Sequence, residues 1–541
     1  MTAINYNKIT TSLPDNISLI IGQVIPLELS YITQSALVTL PNITFSGVEN
    51  LTIYDTNSGD PITTSVPMTK NSSDNDYIYT LSVFLIVKNK DSNTKVNDND
   101  PVTYTITEDY THEQITYTAT ARTISNESLA LHIEKPYLES PDAENFPPNG
   151  KLSTSVNTVL KGDSGIIPSA YILITEVHLA KKLQAVNIYD DKDPTTKLLL
   201  QVIGPDQGVL VSSDDTGKIS FKIFPQQTLS TVLNLGAIIS GVTPPIAANS
   251  PLFIINPKPV NPLDTINWPN ILGYFSPPLR SDGGTNFTVA VEHYHKAAPG
   301  DYLLFFTKRD NIDKNKIFSG HYFNIKNPDE ELGLSNYSFS LPYNMFHLNT
   351  PTEFSYMAIY ESGVAAKVSQ SLPVTYAGGA IYKPSDKVKR DYDPCIVYTS
   401  LYLSPEVETH YIPQVTTISY DSIKNYLFNT ARPNTGLFVV ILGSNDSKTN
   451  VPLGSKVTLT VYVESENKNF EYSPKPQKIP TTLDNDGYAK AVFHIDYDIL
   501  VNVKDYPNGG SGNIWFDYEV SIEKEIKYGK VWTGYISTVP E

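Results

Sequence analysis

Apolar and polar residues alternate with a period of two along most of the chain. Leu27, Leu29 and Tyr31 fall on one side of a stretch whose other side carries Glu28 and Ser30. Val457, Leu459, Val461 and Val463 stand opposite Thr458, Thr460 and Tyr462, and Val289, Val291 and His293 repeat the pattern. A strand turns successive side chains to opposite faces, so this spacing predicts half-buried β-strands. Helical spacing is confined to residues 421–427 and 169–182, each enough for a turn or two.

The strands are short and separated by turn signals, with 39 prolines lying between apolar runs. That rhythm predicts β-sandwiches in series rather than one large domain. Three stretches read as joints. Residues 140–150 carry Pro141, Pro147, Pro148 and Gly150; residues 256–263 carry Pro257, Pro259 and Pro262; residues 377–393 carry Gly378, Gly379 and Pro384. The segments they imply are 1–145, 146–262, 263–380 and 381–541, each of sandwich size.

Composition narrows the partners. The 541 residues hold 40 Lys and Arg against 57 Asp and Glu, a net charge of −17. Such a balance disfavours nucleic acid, whose phosphates call for basic patches, and disfavours docking on anionic lipid. The 35 tyrosines and abundant Val, Ile and Thr suit pleated sheets. The single cysteine, Cys395, excludes an intrachain disulfide and a cysteine-based zinc site. No run of about 20 apolar residues occurs; residues 232–255 come nearest, but Pro244 and Pro245 interrupt them, so buried strands around a turn are expected there. The first fifteen residues lack the basic start and apolar core of a classical export signal.

Several residue groups could carry chemistry. Gly162-Asp163-Ser164-Gly165 matches the motif around the nucleophile of trypsin-like proteases. That chemistry needs a histidine base and an orienting acid, and neither His112 nor His132 stands in the expected context, so an ordinary turn is expected. His293 and His295, two apart on an expected strand, would project from one face as a metal pair, with His321 or Glu292 as a third ligand. A solvated strand end is the plainer reading. Asp74 with Asp76, Asp98 with Asp100, Asp191 with Asp193 and Asp484 with Asp486 offer oxygen ligands for calcium; none continues into an EF-hand loop, and turn chemistry explains them as well. No phosphate loop or dinucleotide fingerprint is present, and no metal or cofactor is expected.

Aromatic residues are the best ligand hint. In Ile514-Trp515-Phe516-Asp517-Tyr518-Glu519-Val520, alternation sends Ile514, Phe516, Tyr518 and Val520 inward and leaves Trp515 outward beside Asp517. Trp515 and Trp532 are the candidate ligand contacts, since an aromatic plane beside polar groups grips sugars and protein hot spots; packing against a neighbouring loop or domain is the plainer reading. Trp268, after a proline-rich joint, reads as packing between domains.

Two acidic turns echo each other. Asp214-Asp215-Thr216-Gly217 precedes an alternating run, as does Asp484-Asn485-Asp486-Gly487. This turn-and-strand element resembles the T-D-x-x-G-x-A signature of bacterial immunoglobulin-like domains, the modules stacked in invasin- and intimin-type adhesins. Pro452-Leu453-Gly454 with Val457, Leu459 and Val461 looks like the strand that opens such modules. In the third segment, Val289 to Tyr294, Pro299-Gly300-Asp301, Phe339 to Pro342 and Phe354 to Tyr360 are similar to another bacterial Ig-like type. The resemblance covers the second half of the chain best and the first segment least.

The resemblance implies an all-β fold of several tandem Ig-like β-sandwich domains in an elongated array. It implies a non-enzymatic bacterial protein at the cell surface or outside the cell, presenting a binding surface to host protein or glycan, with loops carrying specificity. Two rivals stand beside it: a structural or receptor-binding subunit of a fibre, injection apparatus or inclusion assembly, retained in the cytoplasm, and a secreted toxin or enzyme. Neither nucleic acid nor membrane insertion is expected.

Overall fold

The computed structural model describes residues 8–71, 77–88, 95–178, 180–228, 230–256, 265–361, 367–401, 410–429, 434–445, 448–522 and 525–540. The joint read at 256–263 and the pair Asp74 and Asp76 lie outside the described residues, apart from Asn256. The chain divides into two compact units, Met1–Pro257 and Lys258–Glu541.

The protein is all-β, built from several sandwiches. Each face of a sandwich is a strand whose alternate residues point inward, and the cores follow the alternation. Leu27, Leu29 and Tyr31 are fully buried, as are Val457, Leu459, Val461 and Val463. Burial of such side chains contributes about 1.5–3 kcal/mol each. Among the described residues helix is limited to stretches of three to six residues, including Tyr420–Ile423 and the 3-10 helices Lys424–Phe428 and Ala180–Ala185.

The first unit holds two large cores. One gathers residues from Ile9 to Ala121 between the sheet containing Val24–Thr33 and Tyr77–Val87 and the sheet containing Pro101–Glu108 and Gln114–Arg122. The other gathers Leu129, Leu131 and Ile133 with residues from Leu138 to Ile254. The second unit also holds two, one from Ile271 to Tyr376 and one from Tyr392 to Ile536.

One device recurs four times: an early strand pairs in parallel with a late one. Ile17–Ile20 lies along the end of Gln114–Arg122. Tyr137–Glu139 lies along Leu252–Ile255. Thr265–Ile266 lies along Lys367–Ser369, and Arg390–Tyr392 along Glu525–Gly529. All other strand pairs around them are antiparallel except Thr417–Ser419 with Trp532–Ser537 and Thr435–Ser444 with Val451–Pro452.

This pairing corrects the expected boundary at 145/146. Leu138 and the residues from Leu129 to Ile133 belong to the second core, so the proline-rich stretch 140–150 lies inside that sandwich. It is the loop between an opening strand and the rest; prolines mark a loop without saying which core flanks it.

Residues 232–255 form the buried strands Thr231–Leu233, Leu235–Ile238 and Leu252–Ile255 around a turn. No helix among the described residues is long and apolar enough to cross a membrane.

Within the first unit the two sandwiches share a seam. The Val24 amide donates to the Ser240 carbonyl at 2.9 Å, and Gln23 Nε2 donates to the Tyr171 carbonyl at 2.7 Å. Ile20 packs into the second core, while Tyr171 packs against the first. Leu173, Ile203 and Ile238 add an apolar contact with Val24 and Phe84.

Candidate functional site

The strand Gly512–Ile522 pairs with Lys456–Glu464 on one side and Trp532–Ser537 on the other. Ile514, Phe516, Tyr518 and Val520 enter the core, and Trp515 faces outward, half-buried between Tyr462 and Thr533 on the neighbouring strands. Asp517, on the same face, is not a free acid. Arg390 grips it with two nitrogens at 2.6 and 3.1 Å and also donates to the carbonyls of Gly529 and Ser385. A bidentate pair of this kind fixes both partners and leaves little charge for a ligand.

Trp532 is the correction on this face. It is 1% exposed, packed edge-on against Phe516 with ring centres 5.3 Å apart. Its alternation puts it inside the sheet, so its ring offers no surface to a partner. Cys395 is buried beside the same core, and burial pushes its thiol well above the ordinary range.

His293 and His295, the candidate metal pair, do not lie on a strand. The strand Asn286–Ala290 ends before His293, and the inward position beyond it goes to Tyr294, which is 2% exposed and donates its hydroxyl to Asp301. His293 lies 3.7 Å from Asp329, on the exposed side. Among the described residues no group of three or more His, Cys, Asp or Glu could hold a metal ion.

Gly162-Asp163-Ser164-Gly165 is a two-residue hairpin between Lys161–Gly162 and Gly165–Ile166. Ser164 donates to Asp98 and accepts from Asn99 Nδ2, while His132 faces Asn249. The motif is therefore part of the seam. Asp98 also accepts the Thr123 amide at 2.7 Å and lies 3.4 Å from Arg122. Burial works to raise the Asp98 carboxyl, but Ser164, the Thr123 amide and Arg122 outweigh it and hold it below the usual range.

The echoing turns are one structure used twice. Asp214 Oδ1 accepts the amides of Thr216 and Lys218, and Asp484 Oδ1 those of Asp486 and Tyr488. Gly217 and Gly487 close the turns at φ +74° and +80°. Asp484 and Asp486 also face Lys490, at 2.6 and 3.6 Å. These carboxylates serve their own loops.

An exposed apolar cluster was not legible as a site. The chain leaves one sheet of the third sandwich at Thr265–Ile266 and joins the other at Asn270–Ile271. Ile266 and Ile271 face the core. Trp268 and Leu272 turn the other way, 50% and 59% exposed, and Phe275 follows at 97%. Asn270 donates to the Leu334 carbonyl and the Tyr337 hydroxyl. Trp268 is thus half-exposed. The available signal was the apolar run Ile271, Leu272, Tyr274 and Phe275, longer than one inward face uses.

No family model and no curated protein matches the chain. Among solved structures, domains 4–9 of the surface layer protein SbsC align over 98% of this chain and 83% of theirs, at 8% identity and a TM-score of 0.18. Invasin, a bacterial integrin-binding protein, aligns over 98% and 79%, at 8% identity and 0.15. The C-terminal domain of the Streptococcus agalactiae AgI/II polypeptide BspA aligns over 46% and 99%, at 10% identity and 0.14. Scores this low carry no argument about what this chain does; its all-β character rests on its own strands.

Proposed function

We propose that this chain is a non-enzymatic bacterial surface or secreted protein that presents a binding surface to host protein or glycan. The observation that carries the reading is the exposure of Trp268, Leu272 and Phe275 along one short stretch at the edge strand Asn270–Ile271 of the third sandwich. Large apolar side chains gathered in water mark interaction sites, and Trp is prominent among protein hot spots. The backbone beneath is anchored by Ile271 in the core and by the Asn270 bonds, so the cluster is held ready for a partner. Half-buried Trp515 offers a second, smaller aromatic surface.

Location tests the reading. Intact producing cells are treated with protease, and the chain is followed by immunoblot in cells and medium. Release to the medium, or cleavage while cytoplasmic markers survive, is the expected result. Full protection until lysis would overturn it in favour of an internal assembly component.

A further inference from the structure

We propose that the outward face of the fourth sandwich around Trp515 binds a basic polypeptide segment, with one Lys or Arg side chain laid over the indole. The sheet ladder assembles this face. Tyr462 stands directly opposite Trp515, and Trp515 opposite Thr533. Tyr535, opposite Asn513, is one diagonal step from Trp515 and 41% exposed. Diagonal neighbours on antiparallel strands lie within reach of aromatic side chains. Three rings from three strands thus share one face. Among the described residues the side chains of Tyr462, Trp515 and Tyr535 make no hydrogen bond.

Charge selects the partner. Glu471 stands opposite Tyr462 and Glu464 opposite Asn513, both exposed. Glu519 lies on the same face, further along the strand of Trp515. None of these three carboxylates is in an ion pair among the described residues, and Glu471 engages only Oε1, which accepts the Thr285 hydroxyl at 2.9 Å. The nearby cation, Arg390, is committed to Asp517. The Tyr462 hydroxyl registers the local field: burial, then Glu471 and Asp517, push it up to about 12, with Arg390 working against them. Lys456 and Lys478 oppose each other at the far end of the strand, roughly 20 Å from Tyr462 at about 3.3 Å per residue. The aromatic end of the face is therefore the acidic end.

A cation over the face of a tryptophan is drawn by the ring's quadrupole, and carboxylates beside it add to the attraction. The chain makes such a contact itself, where Lys70 Nζ lies 5.2 Å from the centre of the Tyr77 ring. An acidic partner would meet three carboxylates without counter-charge. A wholly apolar partner would cover them and leave them unpaired, a strongly unfavourable burial. A neutral sugar would stack on the rings and leave the charges unanswered. A segment carrying Lys or Arg answers both the rings and the charges.

This inference rests on the reading of the chain as a binding protein but not on its location, so protease treatment of cells and the binding test fail separately. The test is fluorescence anisotropy of the full chain with labelled peptides of alternating Gly and Arg, Gly and Lys, and Gly and Glu, and a labelled neutral oligosaccharide. A basic peptide is expected to bind, more weakly as salt is raised. Trp515→Ala is expected to weaken that binding roughly five-fold or more. Glu464→Gln with Glu519→Gln is expected to weaken it too and to flatten its salt dependence, which keeps the test open should Trp515→Ala misfold. Glu28→Gln with Glu49→Gln, the same change of charge on the first unit, is expected to leave it unchanged. Absence of binding by both basic peptides, binding that survives both variants, an equal loss in the first-unit control, or binding of the Glu peptide or the oligosaccharide in their place would overturn the proposal.

Discussion

The Thr123 carbonyl stands where a side chain on Gly162 would begin. The two residues belong to adjacent sandwiches of the first unit, and the Asp163 amide donates to Thr123 Oγ1 at 2.9 Å beside them. The close approach explains a glycine that reads in sequence as part of a protease motif. Gly162→Ala forces backbone apart at the seam, and overpacking of this kind costs about 1–3 kcal/mol. Scanning calorimetry is expected to show a lowered melting temperature for the first unit's transition. An unchanged thermogram would mean that the seam yields freely.

The same seam should respond to acid. The Asp98 carboxyl is held below its unfolded value of about 3.9, so ionised Asp98 stabilises the folded state. That contribution is present above the unfolded pKa and is lost as the pH falls through the folded one. Asp98→Asn is expected to lower stability near neutral pH and to flatten the dependence below about pH 4, measured by denaturant titration across pH 2–7. Parallel curves for the two proteins would refute the assignment.

The repeated turn supplies an internal control. Gly217 and Gly487 both have positive φ, where a side chain costs roughly 1–2 kcal/mol. A Cβ on Gly487 would meet open space, whereas one on Gly217 would meet the Leu160 carbonyl at 3.1 Å and Ile167 backbone at 3.3 Å. Gly217→Ala is therefore expected to be more destabilising than Gly487→Ala, by urea denaturation of the two variants. Equal effects would mean that the turn backbone alone sets the cost.

Arg390 neutralises a carboxylate that the sheet has largely buried, since Asp517 is 8% exposed. Arg390→Ala leaves that charge unpaired, at a cost of about 3–5 kcal/mol. Arg390→Ala with Asp517→Ala should recover part of the loss, giving a positive coupling in a double-mutant cycle. Additive losses would show that the two groups act independently.

How much of this was legible depends on range. Period-two runs such as Val457 to Val463 are local, and each of their inward residues is buried. The acidic turns were legible for the same reason: Asp484 and Gly487 complete their hydrogen bonds within five residues. The edge of the second sandwich was not, because Leu138 is placed by Ile254. His293 and His295 extend an alternating run in sequence, but the strand stops at Ala290 and Tyr294 takes the interior. Trp532 does not hold the place expected of it. Trp532 lies opposite Phe516 on a strand whose partner is fixed only in three dimensions. Trp268 sits where the chain changes sheets, and that crossing has no signature of its own.

The parallel pairings set a timetable for synthesis. Leu138 cannot find its partner until Ile254 has been made, more than a hundred residues later. At roughly 5–20 residues per second that wait is on the order of ten seconds. Ile17 waits similarly for Ala119, and Arg390 for Tyr528. On the ribosome these early strands thus spend seconds unpaired, until a strand near the end of the same sandwich emerges.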